Sequence, residues 1–118
     1  MFVRLTVSEL HEESGQPLGI FHAIRYLRDE GKLTAEQEEV ANEIFNWAFD
    51  HLEAPGDDLL KANPGAVSWF RLSATGHIAE AERFIPILMA HGYHVATVKR
   101  TDPGRIIYSD SAQVLALP

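Results

Sequence analysis

The sequence predicts a small α+β domain: an N-terminal strand, three helices and a C-terminal three-stranded antiparallel meander, with the helices packed on one face of a roughly four-stranded sheet. Three observations carry this. Residues 34–53 repeat apolar side chains at three- and four-residue steps, the period of an amphipathic helix. Residues 93–117 switch to a period of two, punctuated by turn residues. The length of 118 residues fits one domain, 1–118, and an apolar content of 46% supplies one core.

Residues 2–8 alternate Val3, Leu5 and Val7 with Arg4, Thr6 and Ser8, which describes a half-buried strand. A polar loop, 11–16, leads to Pro17, placed for the start of a first helix over 18–30, where its missing N–H costs nothing. Ile20, Phe21, Ala23, Ile24 and Leu27 form its apolar face, and Gly31 stops it, with Leu33 packing back. The second helix opens with Thr34 and Gln37 in capping-box spacing. Val40, Ala41, Ile44, Phe45, Ala48, Phe49 and Leu52 line its inner face.

Pro55-Gly56 and Asn63-Pro64-Gly65 break structure over 54–64, with room for one helical turn over Asp57–Ala62. Residues 66–71 read either as a short strand or as a lead into the next helix. The third helix spans 74–91. Ser73 or Thr75 can cap it, the stripe is Ile78, Ala81, Ile85, Leu88 and Met89, and Gly92 closes it. Pro86 should kink or break it near 82–85. Strands follow over 93–99, Arg105–Ser109 and 112–117, with tight turns at 101–104 and 110–111.

Composition excludes several functions. There is no cysteine, hence no disulfide, thiolate metal site or cysteine nucleophile. A net charge of −7 opposes phosphate backbones and anionic membranes, so neither nucleic acid nor membrane is an expected partner. The N-terminus turns acidic where a signal peptide would be apolar, and no apolar run could span a bilayer; a cytoplasmic protein is expected.

No catalytic motif is present, and no catalytic residue, metal or cofactor is expected. His91 and His94 are split by Gly92, and about 21 Å of helix separates His77 from His91. His22 falls on the helix side of Arg25 and Asp29, as a partly exposed histidine rather than a general base. The acidic groups Glu9, Glu12, Glu13, Asp57 and Asp58 lack calcium-loop spacing and read as solvated loops. Lys99, Arg100 and Arg105 gather three of the ten basic residues at one turn, either as an anion site or as charges guarding a strand edge. Trp69 and Tyr108 are core or ligand-stacking aromatics. A pocket, if formed, is expected between Trp69, His77 and the meander, where Ser73 and the helix start offer free N–H groups.

The leading expectation is a self-associating protein-interaction module. The alternatives are a binder of a small anionic ligand at Ser73–His77 and the Lys99/Arg100/Arg105 turn, and a small hydrolase or isomerase using a histidine and a carboxylate. The last strands are apolar on both faces, so a one-layer fold would leave an apolar face to be covered by a homodimer partner or by the loop 54–71.

Overall fold

The computed structural model describes residues 1–118 except Glu13 and Ala54. Glu13 of the acidic loop and the Ala54 start of the expected break therefore lie outside the described residues. The elements are β1 (Phe2–Leu10), β2 (Pro17–Gly19), α1 (Ile20–Asp29), α2 (Ala35–His51), α3 (Asp57–Ala62), β3 (Val67–Arg71), α4 (Thr75–Glu82), α5 (Ile85–Ala90), β4 (Val95–Arg100), β5 (Arg105–Ser109) and β6 (Gln113–Leu117). The α+β class is as the sequence predicts, but the sheet has six strands rather than four. No helix among the described residues is long and apolar enough to cross a membrane.

β1 organises the sheet. One of its edges pairs with β4 from Phe2↔Arg100 to Val7↔Val95. The other edge is shared: β3 pairs at Phe2 and Val3, and β2 pairs between Thr6 and Leu10. The extra strand β2 explains why α1 begins at Ile20 rather than at residue 18. Pairing with β1 holds Pro17–Gly19 extended, and Arg4 Nη2 donates to the Pro17 carbonyl at 2.9 Å.

β3 pairs with β6 and β6 with β5. The expected three-stranded meander is thus only partly formed: β5 and β6 make a hairpin, but β4 pairs with β1. Residues 101–104 are not a hairpin turn. They join two strands that run in the same direction, and a flat parallel connection needs about a dozen residues or more. The short link closes only if the sheet wraps and brings its edges together. Gly104 permits it. Its φ is +108°, and a Cβ there would lie 2.2 Å from the Leu117 carbonyl oxygen. Asp102 Oδ1 accepts from the Gly104 N–H at 2.9 Å and fixes the bend.

Wrapping makes two cores. Leu5 and Val7 face a large one, built with α1, α2, α4 and α5 around Ile24, Ile44, Phe84 and Leu88. The other face of the sheet encloses Val67, Trp69, Val114 and Ala116, with Phe2 and Val98 beside them. Val114 and Ala116 are 0% exposed within one chain. Of the two strands expected to show an apolar face to a homodimer partner, β6 is buried within one chain at Val114, Leu115 and Ala116, whereas Ile106 of β5 is 44% exposed. Of the rival covering loop 54–71, Val67–Arg71, with Trp69 and Phe70, are β3 itself.

The helix ends follow local chemistry. Thr34 and Gln37 form the capping box, at 3.0 and 3.2 Å. Gly31 and Gly92 take left-handed φ past the ends of α1 and α5. Neither Ser73 nor Thr75 caps α4; Ala74 holds that position without a side-chain bond. The expected third helix breaks at residues 83–84, where Arg83 and Phe84 N–H close on the Glu80 and Ala81 carbonyls. Pro86 enters at the first turn of α5, where no backbone donor is required. The break drops Phe84 into the core, 0% exposed, edge-on to Phe21 at 5.1 Å. It turns Met89, expected inside, out to solvent at 64%. Phe49 is likewise outside, at 86%.

Pro86→Ala should leave stability within about 0.5 kcal/mol, because no orphaned acceptor awaits its N–H. Phe84→Ala should cost about 3–5 kcal/mol by cavity formation. Chemical denaturation of both variants checks the pair; a large loss for Pro86→Ala contradicts the reading of the break.

Candidate functional site

The shared edge of β1 leaves a fork. β3 departs after Val3 and β2 arrives only at Thr6, so Arg4 and Leu5 have no strand beside them on that side. A cleft of about 650 Å³ opens there. β1 and β3 wall it at Arg4, Leu5, Val67 and Trp69; α1 and α2 roof it with Phe21, Phe45 and Ala48. Pro55 and Leu60 stand at the rim, with the exposed Phe49. Because side chains alternate across a strand, a cleft that passes through the fork touches residues from both faces, including Trp69 and Phe70 together.

The polar groups of this cleft are few and mostly basic: Arg4, Arg25, His11 and His22, with Ser14, Asn46, Ser68 and Gln113. No acidic side chain lines it among the described residues, although the chain carries 17. The Arg4 guanidinium lies 5.6 Å from the Trp69 ring centroid, a cation–π arrangement. Burial pulls its pKa down to about 10, so it stays charged at neutral pH. None of the ion pairs among the described residues involves it. Trp69 is 7% exposed, and its Nε1 is buried with no hydrogen-bond partner among the described residues. An unmet buried donor costs about 1–3 kcal/mol.

At the α1 end, His11 and His22 stack with centroids 5.3 Å apart. Desolvation, then the charges of Arg25, His11 and Arg4, hold the His22 pKa below its usual value. His11 also accepts at Nδ1 from the Ser14 N–H at 3.2 Å, which fixes the loop against the cleft.

Of the seven residues expected to bind a ligand, Trp69 alone lines this cleft. Ser73 is exposed in a shallow hollow with Met1, Arg71 and Leu72. The His77 Nε2 lies 3.0 Å from the His51 carbonyl oxygen, and its ring meets Trp47 edge-on at 5.1 Å. This ties α4 to the end of α2. The expected pocket between Trp69 and His77 is not formed: His77 packs by Phe70, which points to the opposite face of β3 from Trp69. Lys99, Arg100 and Arg105 flank the bend and are exposed. The Tyr108 hydroxyl donates to Asp110 Oδ2 at 2.8 Å, which pushes its pKa up to about 12. His91 Nε2 lies 3.0 Å from Gln37 Oε1, joining the end of α5 to the first turn of α2.

The sequence reading missed Arg4 and Arg25. Arg4 alternates with apolar residues and was expected on the wet side of a strand; the signal it carried was a lone cation on a face that proves to be buried. No known protein family matches the chain, and no curated protein and no solved structure matches it.

His22 makes a pH prediction. The unfolded chain protonates His22 near its ordinary 6.5, whereas the folded chain resists until lower pH. Stability present above pH 6.5 is therefore lost as the pH falls through the folded value. His22→Gln should lose less melting temperature than the wild type between about pH 7.5 and pH 5. Equal losses would contradict the assignment.

Proposed function

We propose that this chain is a binding protein whose cleft at the β1/β3 fork holds a small molecule with an apolar body. The observation that supports it is the cleft itself: about 650 Å³, mostly apolar in lining, with a few polar groups at one side. Ligand sites commonly fall between about 300 and 1,000 Å³ with that distribution of polarity. This keeps the small-ligand reading and moves it from the Ser73–His77 helix start and the Lys99/Arg100/Arg105 turn to the fork. The hydrolase or isomerase reading gains no support here, because the cleft brings histidines together without a carboxylate among the described residues. A cytoplasmic setting belongs to the same proposal, on the cysteine-free composition.

Self-association or docking of a protein partner is the second reading. Its supporting observation is the rim, where Phe49 is 86% and Leu60 41% exposed. Light scattering across a concentration series separates it from the first: a mass that rises with concentration, and falls back on Phe49→Ser, favours the rim contact.

The cleft reading is tested by filling the space. Ser68 lines the cleft and is exposed. Ser68→Trp should abolish the binding of an apolar fluorescent dye, measured by titration, and leave the melting temperature within a few degrees, about the change expected of a surface substitution. Unchanged dye affinity in a folded variant contradicts the proposal.

A further inference from the structure

We infer that the cleft selects a monocarboxylate with an aliphatic or aromatic body, its acid group held by Arg4 and its body lying toward Phe45 and Phe49. This rests on the cleft being a ligand site and adds the chemistry of the ligand.

Four observations support a negative head group. The Arg4 guanidinium has five donors, and among the described residues one hydrogen bond is made from it, to the Pro17 carbonyl. It stands at the cleft wall with no acidic partner among the described residues. Burial desolvates that charge and lowers its pKa to about 10, so a counter-ion beside it would favour the charged form again. Trp69, whose ring lies under Arg4, has a buried Nε1 without a partner among the described residues. A ligand oxygen in the cleft supplies acceptors for both.

The cleft's charge agrees. Net charge is −7, yet the lining holds Arg4, Arg25 and two histidines and no described acid. The potential there is therefore opposite in sign to that of the molecule as a whole. A carboxylate fits better than a phosphate group. One guanidinium and one indole N–H match a planar anion with two oxygens, whereas phosphate sites gather more donors and often a helix N-terminus. Arg25 is less suited to be the anchor, because it is exposed and lies 5.6 Å from the Phe45 ring, closer to the mouth. Beyond Arg4 the lining includes Phe21, Phe45, Ala48, Phe49 and Leu52, an apolar stretch for the body of the ligand, with Asn46 the polar residue of α2 beside it.

The experiment compares three probes of equal length, octanoate, octan-1-ol and octylammonium, by calorimetric titration of the full chain. Octanoate should bind about tenfold or more tightly than octanol, the difference that one charge-assisted hydrogen bond makes, and octylammonium most weakly. Arg4→Met should remove the preference for octanoate while octanol affinity stays within about twofold of the wild type. Arg4→Gln, which retains a donor for the Pro17 carbonyl, should do the same and guards against loss of fold in the first variant. Equal binding of octanoate and octanol, or a preference that survives both substitutions, overturns the head-group assignment and leaves the cleft reading standing. Binding of none of the three probes overturns the cleft reading itself.

Discussion

The structure depends on one strand edge serving two partners. β1 offers β4 a continuous ladder along one side and divides the other between β3 and β2. β3 pairs with β1 at Phe2 and Val3, and β2 joins that edge only from Thr6. The gap between them is a consequence of pairing, and it is the space where Arg4 sits. Arg4 in turn donates to the Pro17 carbonyl of β2 across the fork.

Wrapping of the sheet follows from the same arrangement. With β4 on one outer edge and β5 on the other, residues 101–104 can connect them only around a closed surface. Gly104 fits against Leu117 where no side chain would. The second cluster then buries Trp69 and Val114, and the molecule has a core on each side of its sheet. Each buried Val, Leu or Phe contributes on the order of 1.5–3 kcal/mol, so the second core is a substantial part of stability. The orphaned Trp69 Nε1 is set into that same face, where it opposes the gain.

The legible part of this fold was local. The capping box at Thr34, the helix stops at Gly31 and Gly92, and the disturbance around Pro86 all depend on residues within a few positions of one another. Period two in residues 93–117 marked strands correctly but could not name their partners, since alternation gives a strand's faces and is silent on what lies beside it. Hence β4 was assigned to β5, its neighbour in sequence, when it pairs with β1 about ninety residues away. Phe84 was missed although it stands at helical spacing from Ala81 and Leu88, because the stripe was drawn through Ile85 and Met89 instead. Phe49 and Met89 fit an apolar period and are nevertheless exposed. The candidate site was least legible. It is made by strands that separate, and separation leaves no periodic trace in any one segment.

The central claim, that the fork at Arg4 and Trp69 is where this chain binds, has a direct spectroscopic reporter. The two tryptophans differ in position: Trp69 lines the cleft, and Trp47 stacks on His51 outside it, with ring centroids 4.1 Å apart. In a proton–nitrogen correlation spectrum each gives its own indole N–H signal. Titration with octanoate should move the Trp69 indole signal downfield as its free donor acquires an acceptor, while the Trp47 signal stays in place. A saturable shift confined to Trp47, or binding with neither indole disturbed, would contradict the account.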